Sequence, residues 1–513
     1  MCMEHRYIAL VDWIFGPNWV SFEQYFYGNW DNVPIIFIFD LLSKIIPSYV
    51  LQYIFIALLF VLGISSMRFC LRRFTTTWRI QLIGSLLFVL TPWVYDRLFF
   101  GQVWVVAAYM FLPVVIGLAW DLISRRLDIG FLLSLIFSLF FLGMLNARYF
   151  PIGLVVIASF FAYRLYKDRS LQVIYYGLAT LIGSLFLSLY WIVPLLQSDI
   201  IASLHDVAQM QFFTPTGSFL SLFVDTLALH NSWMNYKTHA LVSVDSIVAL
   251  SWIFPMVYSL LVVGALAVWR FGAQYILFFW ALFAWFFSLN LATPFLSHVN
   301  LWIFTSIPFF SAYREPGKRM ALVAIFYIIC IVVLLTQTLR HRTTWIVRGL
   351  VAIVLWASIY LFVFVPWEKN RTIQYPADWY TAKQQYGAIL NSPSTIVFPW
   401  HWYMGCDFSD RRIIQNPAKT FFGLAIVYGD NMEWWGVYSY STKPLSVDLA
   451  KVLSDKRSPI DMDILLSTLR SHGIEHIAYL STCASAPRYT WIVDLTEPVY
   501  SGSHIQILAV PAF

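Results

Sequence analysis

The chain has 513 residues, of which 60% are hydrophobic and 12% charged. A soluble protein of this length needs far more charge on its surface, so the composition excludes an ordinary soluble domain and points to a lipid environment. The net charge of +6 sits in short loops between apolar runs. No basic stretch is interleaved with aromatics in a soluble segment, which sets nucleic acid aside as a partner.

Residues 1–49 come first. Nothing before Val33 reads as a signal peptide or a spanning segment. The expectation is therefore that a first helix is missing, through truncation or a misplaced start codon. The competing reading is that residues 33–46 dip into the membrane as an interfacial anchor. Asp40, Lys44 and Pro47 suit that role better than they suit a span.

About ten spans of roughly 20 apolar residues follow. They fall near 50–66, 80–96, 102–121, 131–146, 150–166, 172–194, 248–269, 274–292, 318–338 and 345–366. Residues 131–166 also read as one broken or re-entrant hairpin. Each span is a helix because lipid offers its backbone groups no other partner. Ionisable residues well centred in a span are missing from this reading, and the two halves show no duplication, so a secondary transporter is the weaker assignment.

Every second loop is short and basic: Arg68, Arg72, Arg73 and Arg79; Arg125 and Arg126; Arg164, Lys167 and Arg169; Arg270; Arg340, Arg342 and Arg348. The excess of Lys and Arg assigns these loops to the cytoplasm. Residues 1–49, the large loop 195–247, residues 293–317 and the tail then lie outside. The domains read as an outer N-terminal segment (1–49), a multi-span domain (50–366) and an extracytoplasmic domain (367–513).

Polar groups gather where spans meet the outer side. "LVDWIFGPN" carries Asp12, and "TPWVYDRLFFGQ" carries Asp96, Arg97 and Gln102 in a tight turn. "GMLNARYFP" carries Asn146 and Arg148, "LHNSW" carries His230, and "AYREPGKRM" carries Arg314, Glu315, Lys318 and Arg319. Such groups at membrane depth are costly and mark functional sites. Arg and Lys would neutralise a phosphate or diphosphate. A carboxylate would take the proton of an attacking hydroxyl. The alternative is that Asp96–Arg97 and Arg314–Glu315 are local ion pairs holding their turns. Glu23 and Asp31 could assist Asp12 or hold a divalent cation.

The tail changes in composition. "TIVFPW", "HIAYLST" and "HIQILAVPAF" read as strands. "SVDLAKVLSDK" and "PIDMDILLSTLRSHGI" read as helices, the second stopped by Gly473. This predicts a small α/β domain behind an all-α membrane domain. Cys406 and Cys483 share it, and a disulfide between them suits an oxidising compartment, although two cysteines make no framework. Trp13, Trp19, Trp30, Trp233, Trp379, Trp400, Trp402, Trp434 and Trp435 crowd the outer segments. They read as sugar-stacking faces or as plain packing.

The segments "LVDWIFGPN", "TPWVYDRLFFGQ", "NARYFP", "FSAYREPGKRM" and "YPADWY" resemble membrane glycosyltransferases of the GT-C superfamily, in the prokaryotic branch near the arabinofuranosyltransferase D and YfhO types. The resemblance implies a multi-pass protein of a prokaryotic cell membrane with its C-terminal domain outside. It implies sugar transfer from a polyprenyl-phosphate donor to a glycan or lipid acceptor. By the matching position it makes Asp12 the catalytic base. Arg97, Arg148, Arg314 and Lys318 would hold the donor phosphate, and Gln102, His230 and the tryptophans would contact sugar. Two departures stand out: the absent first helix and the lack of a clear acidic pair in the first loop. The competing function is a non-enzymatic scaffold or transporter that binds lipid-linked glycans through the same cations without needing Asp12.

Overall fold

The computed structural model describes residues 6–8, 30–99, 101–197, 219–229, 244–268, 274–289, 297–307, 316–338, 344–363, 372–423, 425–430, 432–434, 437–439, 443–453, 462–484, 486–495 and 497–511. Two compact units divide it. One comprises residues 30–35 and 55–367, and the other residues 1–29, 36–54 and 368–513.

The first unit is helical. Its described helices are α1 (Val33–Ser43), α2 (Ser48–Leu71), α3 (Trp78–Val89), α4 (Pro92–Phe99), α5 (Val103–Asp121), α6 (Ile129–Leu145), α7 (Tyr149–Asp168) and α8 (Leu171–Gln197). After them come α9 (Phe219–Leu227), α10 (Val244–Val268), α11 (Gln274–Ser288), α12 (Ser297–Ser306), α13 (Met320–Thr338) and α14 (Thr344–Val363). The first residues of α1 and most of α2 belong to this unit and the rest of both to the other.

Among the described residues, six helices are long and apolar enough to cross a membrane, by length and composition. They are α2, α5, α7, α8, α13 with the turn before it, and α14. Apolar content does not separate core from periphery here. The segment Gly317–Thr338 is 83% buried over its most apolar window, while Leu171–Gln197 is 22% buried. Helix α13 is the central post, packed by α3, α10, α11 and α14, whereas α8 turns most of its apolar surface outward. Lipid is as apolar as leucine, so hydrophobicity marks a span and not its neighbours.

One expected span is two helices. Residues 80–96 break at Leu90–Thr91, because Pro92 lacks an N–H and pushes Thr91 out of the helical region. Pro92 then starts α4 in the position where a missing donor costs nothing. The Thr91 hydroxyl donates to Phe88 O at 3.3 Å and accepts from Val94 N–H at 3.4 Å, which stitches the break. The alternative hairpin over 131–166 resolves into two helices, α6 and α7, joined by Asn146–Ala147–Arg148.

The second unit carries the α/β structure. Strands β1 (Arg6–Ile8) and β2 (Thr372–Gln374) pair antiparallel. The main sheet contains β3 (Thr395–Phe398), β8 (His476–Tyr479), β9 (Glu497–Ser501) and β10 (Gln506–Ala509), in the order β3-β8-β10-β9. The first pair is parallel and the other two antiparallel. Two hairpins accompany it, β4 (Tyr403–Gly405) with β5 (Ile413–Gln415), and β6 (Met432–Trp434) with β7 (Val437–Ser439).

Helix α15 (Ala377–Leu390) follows β2, and α16 (Pro444–Leu453) and α17 (Met462–Ser471) pair with each other. Leu449, Leu465, Leu469, Ile396, Ile477 and Leu508 form one core. Gly473, at φ +72°, closes α17 in the left-handed conformation as its sequence predicts. Cys406 and Cys483 form a disulfide across 77 residues. Trp379 and Trp400 are buried in packing, Trp379 against Tyr375 and Phe422. Their faces are closed to sugar, which corrects the stacking expectation at these two positions. Trp402 and Trp30 are half-buried.

Candidate active site

Three turns far apart in sequence are joined at one end of the helical unit. The first is α4 with its exit. Gly101, at φ +78°, allows the reversal into α5. Across it Gln102 N–H donates to Arg97 O at 2.8 Å, and Arg97 Nη1 donates to Gln102 Oε1 at 2.8 Å. Asp96 and Arg97 are both buried, and both are helical and not part of the turn itself. The Arg97 guanidinium also lies 5.7 Å from the centre of the Trp93 ring.

The second turn is Asn146–Ala147–Arg148. Asn146 leaves the helical region, and its side-chain oxygen accepts from Arg148 N–H at 3.1 Å. This local bond launches α7. The third is the 3₁₀ turn Pro316–Arg319 that opens α13. Two buried donors seize its consecutive carbonyls: Trp93 Nε1 donates to Gly317 O at 2.6 Å, and Tyr149 OH donates to Lys318 O at 3.1 Å. Arg319 donates to Phe287 O at the end of α11. The Gly317 and Lys318 carbonyls are thus held from α4 and from α7 respectively, and Lys318 is buried.

Asp31 completes the constellation from the segment before α1. Its Oδ2 accepts from Ala147 N–H at 2.8 Å and its Oδ1 from Asn32 N–H at 3.1 Å. Asn32, buried, spans to the end of α6 and donates to Met144 O at 3.0 Å and Leu145 O at 2.8 Å. Those carbonyls are among the four that a helix end leaves without an internal partner. Tyr190 OH, from α8, donates to Asp31 O at 2.8 Å. Desolvation of the half-buried Asp31 raises its carboxyl to about 6, while the Ala147 N–H and the Arg148 charge work against that rise.

Of the residues the sequence singles out, Arg97, Gln102, Arg148 and Lys318 lie on or beside segments that Trp93 and Tyr149 tie to the 316–319 turn through the Gly317 and Lys318 carbonyls. Asp12, His230 and Arg314 lie outside the described residues, as does Glu23. Among the described residues no group of three His, Cys, Asp or Glu is gathered that could hold a metal. The sequence offers Asp31 only as an assistant, and it offers nothing for Asn32 or Tyr190. An Asp-Asn pair just before an apolar helix is a visible signal, but its partners lie 112 to 159 residues away.

A polytopic helical protein with a small α/β unit has solved counterparts. The fold matches two cryo-EM structures of the arabinofuranosyltransferase AftD from Mycobacteria, a mutant form at TM-score 0.60 and a second structure at 0.59. Sequence identity is 14% in both, over 99% of this chain and 40% or 38% of theirs. The chain therefore spans about two fifths of the length of the structures it matches. No protein-family model matches the sequence, and no curated protein sequence does. At this identity the likeness is one of fold, and it extends over nearly the whole of this chain.

Proposed function

We propose that the protein transfers a sugar from a polyprenyl-phosphate donor to a glycan or lipid acceptor at the outer face of a prokaryotic cell membrane. The observation that carries this reading is the joining of the Arg97–Gln102, Asn146–Arg148 and Gly317–Lys318 turns into one hydrogen-bonded frame that includes a carboxylate. Arg148 and Lys318 neutralise the donor phosphate, with Arg148 suited to bidentate contact. That charge is fixed before the reaction, so it stabilises the leaving phosphate without reorganisation. Gln102, held by Arg97, lies beside this frame and contacts the sugar. Asp12, His230 and Arg314 belong to the same reading from their motifs. No step is assigned to a divalent cation. The matching fold is that of a solved arabinofuranosyltransferase, which supports glycosyl transfer as the class of reaction.

The charged loops support an extracytoplasmic C-terminal domain, and so does the Cys406–Cys483 disulfide, since such bonds persist in oxidising compartments. Two measurements test the reading. Purified full-length protein in nanodiscs should move labelled sugar from a polyprenyl-phosphate donor to an acceptor extract. Single cysteines placed at Thr76 and Ser458 of intact cells should label only at Ser458. Labelling at Thr76 alone reverses the orientation. A protein that binds the donor yet transfers nothing favours the scaffold.

A further inference from the structure

Among the described residues, Asp31 is a carboxylate that the fold brings within electrostatic influence of Arg148. One oxygen takes the Ala147 N–H, and the next residue in the chain is Arg148 itself. The other oxygen takes the Asn32 N–H. A carboxylate has about four acceptor sites, so each oxygen keeps capacity for a further proton donor. The Asp31–Asn32 backbone is pinned independently, by Asn32 on the end of α6 and by Tyr190 of α8 on Asp31 O. Among the described residues, the titratable or charged groups acting on Asp31 are Arg148 at the start of α7 and Tyr190 of α8.

Resting on the sugar-transfer reading but taking the base role from Asp12, we propose that Asp31 is the proton acceptor and that Arg148 couples it to the donor: a phosphate that engages Arg148 withdraws the cation's support from the Asp31 carboxylate and makes it a stronger base. Without donor, the Arg148 charge favours the ionised form of Asp31. The single negative charge of a bound phosphodiester offsets that positive one, so proton affinity at Asp31 rises once substrate is in place. The acceptor hydroxyl oxygen then attacks the anomeric carbon, and its proton passes to an Asp31 oxygen. The bond between anomeric carbon and phosphate oxygen breaks, and polyprenyl phosphate leaves with the bonding electrons. The carboxyl already stands near 6 by burial, close to the range where a base is effective at neutral pH.

Linkage makes the coupling reciprocal: if the donor raises proton affinity at Asp31, a proton on Asp31 must strengthen donor binding by the same factor. The probe is a polyprenyl-phosphate sugar, a diester with no titration of its own near pH 6, bound to full-length protein in nanodiscs. Its affinity for the wild type should rise roughly 5-fold or more between pH 8 and pH 5, and Asp31→Asn should abolish that rise. Asp31→Asn should keep donor binding while transfer falls roughly 10²-fold or more.

Two further variants separate positioning from simple folding. Arg148→Gln, at saturating donor, should move the acid limb of transfer to higher pH. Asn32→Ala admits water to Asp31 and should move the limb to lower pH as the rate falls. A structural role alone would lower the yield of folded protein and leave the limb in place. Wild-type transfer that Asp31→Asn leaves intact overturns the proposal and leaves the function standing, as does a pH-dependent affinity that persists in Asp31→Asn. A wild type with no transfer at all overturns the functional reading, and a flat donor affinity then overturns the coupling too.

Discussion

Among the described residues, the bonds at the two ends of the same helices differ. At the end where α5 finishes and α2 and α7 run out, arginines are matched with acids. Arg73 grips Asp121 with two bonds, of 3.0 and 2.6 Å, and stands 3.9 Å from the centre of the Phe69 ring. Arg164 meets Asp168 at 3.0 Å and also donates to Leu122 O and Arg125 O. At the opposite end, where α5 and α7 begin, the bonds join turns to one another. Arg97 holds a neutral amide, the carbonyls beside Lys318 are taken by Trp93 and Tyr149, and the Asp31 carboxylate is set on a backbone N–H beside Arg148. The first end shows charges used as cement. The second shows a polar frame built to hold charged groups in place, which is what a site needs.

The largest effect should separate the two ends cleanly. Arg148→Ala should lower sugar transfer by roughly 10²-fold to 10³-fold, the loss seen when one fixed donor to a developing anion is removed. Thermal stability in detergent should change little. If transfer survives while stability collapses, Arg148 is cement like Arg73, and the distinction between the ends fails.

The next effect is its mirror. Asp121→Asn leaves Arg73 partly desolvated beside Phe69 with its charge unmatched. Breaking one side of such a pair costs about 2 kcal/mol here, less than for a fully buried pair because both side chains keep some exposure. The measurement is the melting transition together with turnover per folded molecule, and only the first should move.

Tyr149→Phe and Trp93→Phe probe the frame itself. Each leaves a buried carbonyl of the 316–319 turn without its donor, at a cost of about 1–2 kcal/mol. Because Lys318 belongs to that turn, affinity for a polyprenyl-phosphate sugar should fall in step. Equal destabilisation with unchanged donor affinity would detach Lys318 from the site.

Much of this was legible in the sequence, and the parts that were not have a common cause. Apolar length revealed the spans, and Pro92 should have warned that 80–96 would break, since a proline cannot continue a helix from the residue before it. The motif turns of Arg97, Arg148 and Lys318 stood out because charge at membrane depth needs a reason. In the tail, β3, β8, β10 and the two helices were readable from their runs. Strand β1 was not, because its partner β2 lies beyond the entire helical region. The partners of Asn32 and Tyr190 were invisible for the same reason: each side chain bonds to backbone carbonyls far away in sequence, and no local pattern encodes such a partner. Trp379 and Trp400 stayed open between sugar stacking and plain packing because density of tryptophan says nothing of which faces stay open, and their burial decides for packing.

The smallest effect tests the comparison where it is weakest. Arg164 and Asp168 form an i,i+4 pair on α7, and the Asp168 side chain is 36% exposed. Exposed helical pairs contribute roughly 0.3–0.5 kcal/mol, because water screens the charges and two long side chains must be held still. Asp168→Asn should therefore leave the melting transition nearly unmoved. Arg164→Met should do more. The guanidinium also donates to Leu122 O at 2.9 Å and Arg125 O at 2.6 Å, the carbonyls that follow α5, and a methionine offers them nothing. If the charge pair carried the stability, the two variants would match. A larger loss in Arg164→Met assigns the work to the carbonyl contacts. In that case even the end built of ion pairs is held chiefly by arginines closing helix termini, as Asn32 closes α6 at the other end.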